Sequence, residues 1–115
     1  MRALDKILEE FVAACIKQED SLEHGDSKTA NKQYRIIQSI RRDLKANPLY
    51  GIEKLIPFLE HPSANVRLVA AFSLIPIIPE QAKAVLRALS AGRGLVSFSA
   101  EMILSEWEKG NLKFD

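Results

Sequence analysis

Residues 61–74 read "HPSANVRLVAAFSL". A polar turn comes first, with Pro62 and a Ser63 suited to capping a helix. Val66, Arg67, Ala70, Ala71 and Leu74 then follow at helical spacing. The stretch is either the second half of an ordinary helical hairpin or one unit of a repeat. The rest of the chain decides between them.

The apolar spacing is helical on both sides of it. Leu4, Ile7, Leu8, Phe11, Val12 and Cys15 form a stripe that recurs at Leu22, and Gly25 stops it. Asp26 or Ser27 can cap a second helix, on which Ala30, Ile37, Ile40 and Leu44 share a face. "NPLYG" interrupts, and Pro48 suits the first turn of a third helix carrying Leu55, Ile56 and Leu59. Pro57 lies inside that helix, so it is either kinked or starts late. The fourth helix is expected to end before Pro76. Pro79 and Glu80 open a fifth, stopped by "AGRG", and the last runs through Leu95, Phe98, Met102, Ile103 and Trp107 to Gly110. No alternating run reads as a strand.

Six helices with short connections pair naturally as three antiparallel hairpins. A shift of 30 residues brings Leu55 onto Val85, Leu59 onto Leu89, Val66 onto Val96, Ala70 onto Ala100 and Leu74 onto Leu104. The turn residue Pro62 falls on Gly92. Apolar positions match across two helices and their turn, which favours the repeat. Small residues such as Ala70, Ala71 and Ala100 allow helix backbones to approach closely.

"LIPFLEHPSANVRLVAAFSL" resembles a HEAT-type hairpin, with an apolar first helix, a polar turn containing Pro, then Val-Arg and paired alanines. The wider chain resembles a small bacterial HEAT-like domain family of unknown function, through "FVAACIKQ", the "ANK" of the second helix, "HPSANVRLVAA" and "FSAEMILSEWEKGNL". These pieces span residues 11–112. The resemblance implies an all-α fold, a compact α-solenoid of about six helices in three hairpins, and brings no activity with it.

At 115 residues the chain is expected to form a single domain over 1–115. Its 47% hydrophobic and 27% charged residues are ordinary for a globular protein. No apolar run approaches the roughly 20 residues of a membrane span. Asp5, Glu9 and Glu10 argue against a secretory or transit segment, so a cytoplasmic location is the default. Charge is uneven. Residues 1–26 hold seven acids and three bases, and residues 27–51 hold six bases and one acid.

Little in the chain suggests catalysis. Cys15 sits on an apolar face, and its helix supplies no cation to form a thiolate. His24 and His61 lie in separate turns and share no zinc-ligand motif with Cys15. "GRG" at 92–94 is too short for a phosphate loop. Glu101, Glu106 and Glu108 read as a solvated acidic face. No enzyme, metal or cofactor is expected.

The second helix is the best binding candidate. At 100° per residue, Lys28, Lys32, Arg35 and Arg42 fall within about 80° of one another, with Arg41 and Lys45 flanking the apolar side. Such a stripe suits an acidic protein surface or phosphates. Asn31, at its edge, is expected to bond across the hairpin. Arg67 is expected to bond a nearby carbonyl or acid, and is also a candidate contact. Trp107 is expected to cover the end of the array, or to contact a partner if that face is open. The leading expectation is a non-enzymatic module that binds a protein on a concave surface, such as an immunity protein covering a toxin domain, or a regulatory protein. The alternative is nucleic-acid backbone binding by the basic helix. The expected state is a monomer or a weak homodimer.

Overall fold

The computed structural model describes residues 3–112. These residues form six helices and no strand, so the fold is all-α. They are α1 (Leu4–Glu23), α2 (Ser27–Ala46), the 3-10 helix η1 (Ile52–Glu60), α3 (Ala64–Leu74), α4 (Pro79–Ser90) and α5 (Leu95–Glu108). No helix among the described residues is long and apolar enough to cross a membrane.

Local chemistry sets the helix ends. Gly25 follows α1 with φ 71°, a left-handed conformation that costs other residues free energy. The Asp26 carboxylate then caps α2 by accepting from the Thr29 amide at 3.1 Å. The Ser63 hydroxyl accepts from the Val66 amide at 3.4 Å, a long cap bond at the start of α3. Pro79 occupies the first turn of α4, where its missing N–H costs nothing.

The third helix departs from the expectation. Pro48 lies in a turn rather than in a first helical turn, and winding begins only at Ile52, after Gly51 at φ 88°. The run is 3-10 over nine residues, long for such winding. Pro57 removes one amide and would crowd the carbonyl four residues back in an α-helix. Three residues per turn place Ile52, Leu55 and Phe58 one above another. Ile52 and Leu55 are buried, and Phe58 stacks on Phe11 of α1 with ring centroids 5.7 Å apart.

Helix α1 packs along α2, η1 along α3, and α4 along α5, while α3 also packs on α4 and α1. The core forms two clusters. The first joins Ile7, Phe11, Cys15, Ile37, Ile40, Leu44, Ile52 and Leu55 to Val66, Ala70 and Leu74 of α3. The second joins Leu68, Ala71 and Ile75 to Ala82, Leu86, Leu89 and Ala100. Helix α3 therefore feeds both clusters from opposite faces, and no residue from Ala64 to Ile75 is exposed. Its sequence is accordingly apolar at most positions, and its polar side chains Asn65, Arg67 and Ser73 are hydrogen-bonded within the protein. Ala70, Ala71 and Ala100 are each 0% exposed, so a larger side chain at any of them would have to displace packed neighbours.

Candidate groove across the helices

On α2, the residues about 100° round from the basic stripe turn toward α3. Tyr34, Gln38 and Arg41 form a ladder there. Gln38 Nε2 donates to the Tyr34 hydroxyl at 2.9 Å, and Arg41 Nη1 donates to Gln38 Oε1 at 2.6 Å. The Arg41 guanidinium lies 5.3 Å from the centroid of the Phe72 ring on α3, a cation–π arrangement. Bonds at i+3 and i+4, with the ring beneath, hold this wall in one geometry.

The ladder is one side of a groove of about 260 Å³. Leu22 of α1, Val69 and Phe72 of α3, and Ile103 of α5 are among the residues that line the rest. The lining is mainly apolar, and Tyr34 and Leu22 are 52% and 44% exposed. Gln38 and Arg41 also line a neighbouring concavity with Arg42 and Lys45. The apolar groove thus opens into a basic notch at the C-terminal end of α2. Helix α5 exposes further apolar surface at Phe98 and Met102, each next in sequence to a groove residue.

The floor is tied by a residue that the sequence presents only as part of a turn. Asn65 is buried, and its Nδ2 donates to the Cys15 carbonyl at 2.7 Å and to Gln18 Oε1 at 3.0 Å. One amide group therefore clamps the start of α3 to α1. A buried polar side chain needs such partners. In sequence, Asn65 resembles any polar residue in the first turn of a helix, so nothing local marked it out.

The stripe residues do not converge on the groove. Lys28, Lys32, Arg35 and Arg42 are all exposed on α2. Arg42 borders the basic notch, whereas Lys32 lines a separate cleft with Glu10 and Lys17. Asn31 is exposed rather than bonded across the hairpin. Arg67, in the first turn of α3, reaches back to the η1–α3 turn, where its Nη1 donates to the carbonyls of His61 at 2.6 Å and Pro62 at 3.0 Å. Trp107 packs on the second cluster with the Lys83 ammonium 5.1 Å from its ring centroid.

Burial pushes the Cys15 thiol up to about 12, so the thiolate is disfavoured. His24 is held above the ordinary imidazole range by its bond to the Asp20 carbonyl at 2.8 Å and then by the Asp20 charge, on an exposed helix end. Among the described residues, no three His, Cys, Asp or Glu side chains gather into a metal-binding group. The Glu106 carboxylate accepts from the Asn111 side chain at 3.0 Å.

The profile of a family described as "Domain of unknown function (DUF2019)" matches residues 5–107. The crystal structure of the protein RPA1889 from Rhodopseudomonas palustris CGA009 is similar to this chain. It shares 22% identity at a TM-score of 0.92, covering 100% of this chain and 96% of that one. At that identity the likeness concerns the fold. No curated protein matches the chain.

Proposed function

The chain belongs to the DUF2019 family, a domain of unknown function, and from that premise we propose that it is a non-enzymatic protein-binding module. In this reading the helices form three antiparallel hairpins, α1–α2, η1–α3 and α4–α5, stacked as a short HEAT-like array. The groove across α2, α3 and α5 is its concave surface. The observation that carries the reading is the groove itself, an open and mainly apolar concavity whose α2 wall is fixed by hydrogen bonds and ring stacking. Apolar walls with a few ordered polar groups are what a partner side chain needs to leave water without losing hydrogen bonds. An immunity or regulatory protein, which acts by covering its target, is the specific form of this reading.

The test uses a photoreactive benzophenone side chain placed at position 34, 103 or 80 in the host cell. Positions 34 and 103 lie in the groove, and position 80 is an exposed site on α4. The expected result is one protein adduct shared by 34 and 103 and absent at 80. Equal yields at all three positions would sink the reading.

Nucleic-acid binding through the basic stripe is the weaker reading. Phosphate contacts need several cations along one path. Here the stripe does not follow one path, since Arg42 borders the notch while Lys32 lines a separate cleft with Glu10 and Lys17. Adducts dominated by nucleic acid at Lys28 or Arg35 would favour it.

A further inference from the structure

We propose that a cleft between α1 and α2 binds a small organic oxyanion, its charged end held by Lys17, Lys32 and Gln33 and its apolar body laid along Ala13, Ala14 and Ile36. The cleft shares no lining residue with the groove. Its failure would therefore leave the protein-binding reading as it stands.

Gln33 is the residue that marks the site. It lies on the buried face of α2 with Ala30, Ile37, Ile40 and Leu44, where an apolar side chain would continue the stripe. It is 6% exposed. The other buried polar side chains among the described residues, Ser21, Asn47, Asn65, Ser73 and Ser97, each make a hydrogen bond. Gln33 alone makes none. Burying an amide without a partner costs free energy, so such a group asks for a partner that the chain does not supply. Gln33 lines the cleft and its amide is not sealed from solvent, so that partner reaches it from the cleft.

The rest of the lining defines the partner's chemistry. Lys17 of α1 and Lys32 of α2 are both exposed there, and neither forms an ion pair. Ser39 adds a hydroxyl with no partner in the protein. Two ammonium groups, an amide and a hydroxyl are rich in donors, and their counterpart is an acceptor-rich oxyanion. Glu10 also lines the cleft, but it already has a partner, which is neither of these lysines. It stands two turns from Lys17, about 10 Å along α1, so it biases an anion toward the lysine end. Ala13 and Ala14 give that wall of α1 no long side chain, and the space beside Ile36 stays open. The cleft holds about 560 Å³, within the roughly 300–1,000 Å³ of small-molecule sites. A bare inorganic ion would leave its apolar wall in water, whereas a ligand with a ring or short aliphatic body covers it.

Four probes separate charge from apolar contact: 3-phenylpropionate, phenyl phosphate, neutral 3-phenylpropionamide and inorganic phosphate. Each is titrated into uniformly 15N-labelled full-length protein, following the amides of residues 10–17 and 32–40. The same titrations use Lys17→Gln, Lys32→Gln and Ala13→Leu, with Lys28→Gln as a control outside the cleft. All four positions are exposed. Gln33→Met, close to the parent in side-chain size, is measured both by titration and by urea unfolding.

The two aromatic anions are expected to shift the cleft amides and to bind severalfold more tightly than the amide or inorganic phosphate. The tighter of the two identifies the head group as carboxylate or phosphate. Lys17→Gln and Lys32→Gln are expected to weaken binding severalfold, and Ala13→Leu to abolish it by filling the cleft. Lys28→Gln is expected to change nothing. Gln33→Met is expected to lose binding while its urea midpoint stays level or rises, because an unpartnered amide has left the interior. A clear fall in that midpoint would make Gln33 a structural residue and overturn the proposal. Equal binding of the neutral amide overturns the oxyanion. Equal binding of inorganic phosphate, or an equal loss in Lys28→Gln, leaves only the general attraction of ions to lysines and overturns the site. Silence of the cleft amides toward all four probes overturns it as well.

Discussion

Asn65 places one amide nitrogen between two acceptors on another helix, and it does so where water is excluded. Replacing it by Ala leaves the Gln18 carbonyl oxygen to find a new donor and opens a small void. Asn65→Ala is expected to lower the unfolding free energy by about 2 kcal/mol, read from urea midpoints at unchanged m-value. Asn65→Asp is expected to cost more, because a carboxylate would face two oxygens. At the surface, Asp26 gives a pH dependence of known sign. Its carboxyl is held below the ordinary range by hydrogen bonds to Thr29, so the charged form is favoured in the folded chain. Its contribution is present above the unfolded carboxyl range and is lost as pH falls through the depressed folded value. Asp26→Asn keeps a capping oxygen and removes the titration. Thermal melts between pH 5 and pH 2 are expected to fall less steeply for Asp26→Asn than for the parent, and identical slopes would count against this role.

Most elements could be read from residues that begin or end them. Gly25, Asp26, Ser63, Pro79 and Gly110 stand where the structure stops, caps or starts helices. The third helix could not be read so fully. Leu55, Ile56 and Leu59 satisfy an α-helical pattern as well as a 3-10 one over so short a run, and only tertiary contacts separate them. Those contacts are the burial of Ile52 and Leu55 and the stacking of Phe58 on Phe11, three residues apart along η1. The groove was illegible for a different reason. Tyr34, Gln38 and Arg41 lie between the apolar and basic stripes of α2, and which intermediate face meets another helix depends on packing that periodicity does not encode. The basic stripe is legible because four like charges align, yet alignment on one helix says nothing of concavity. At this scale, α3 is the element least able to change size. Ala71→Leu adds volume at a position 0% exposed, and is expected to cost about 1–3 kcal/mol. The same substitution at Ala84, exposed on α4, is expected to be nearly neutral, and chemical denaturation of the pair is the direct comparison.

The two core clusters are distinct in their members but meet in one helix. Separate clusters invite the expectation that the molecule comes apart in stages. Helix α3 opposes this, since the loss of either cluster exposes one of its buried faces. A single cooperative transition is therefore expected. Trp107, the sole tryptophan, packs on the second cluster, whereas far-UV circular dichroism samples every helix. Urea curves from tryptophan fluorescence and circular dichroism should coincide. A fluorescence transition well below the dichroism midpoint would show that α4 and α5 leave first.

A helix with no exposed residue also governs which descendants of this sequence can exist. In a saturation library selected only for folding, the other helices should display a comb, with two or three permissive positions for each forbidden one. Residues 64–75 should instead form an almost unbroken bar. The exceptions to look for are Val69 and Phe72, which floor the groove without being fully enclosed. If selection for folding releases these two and selection for growth in the host restores them, the difference between the two maps outlines the surface that the cell uses.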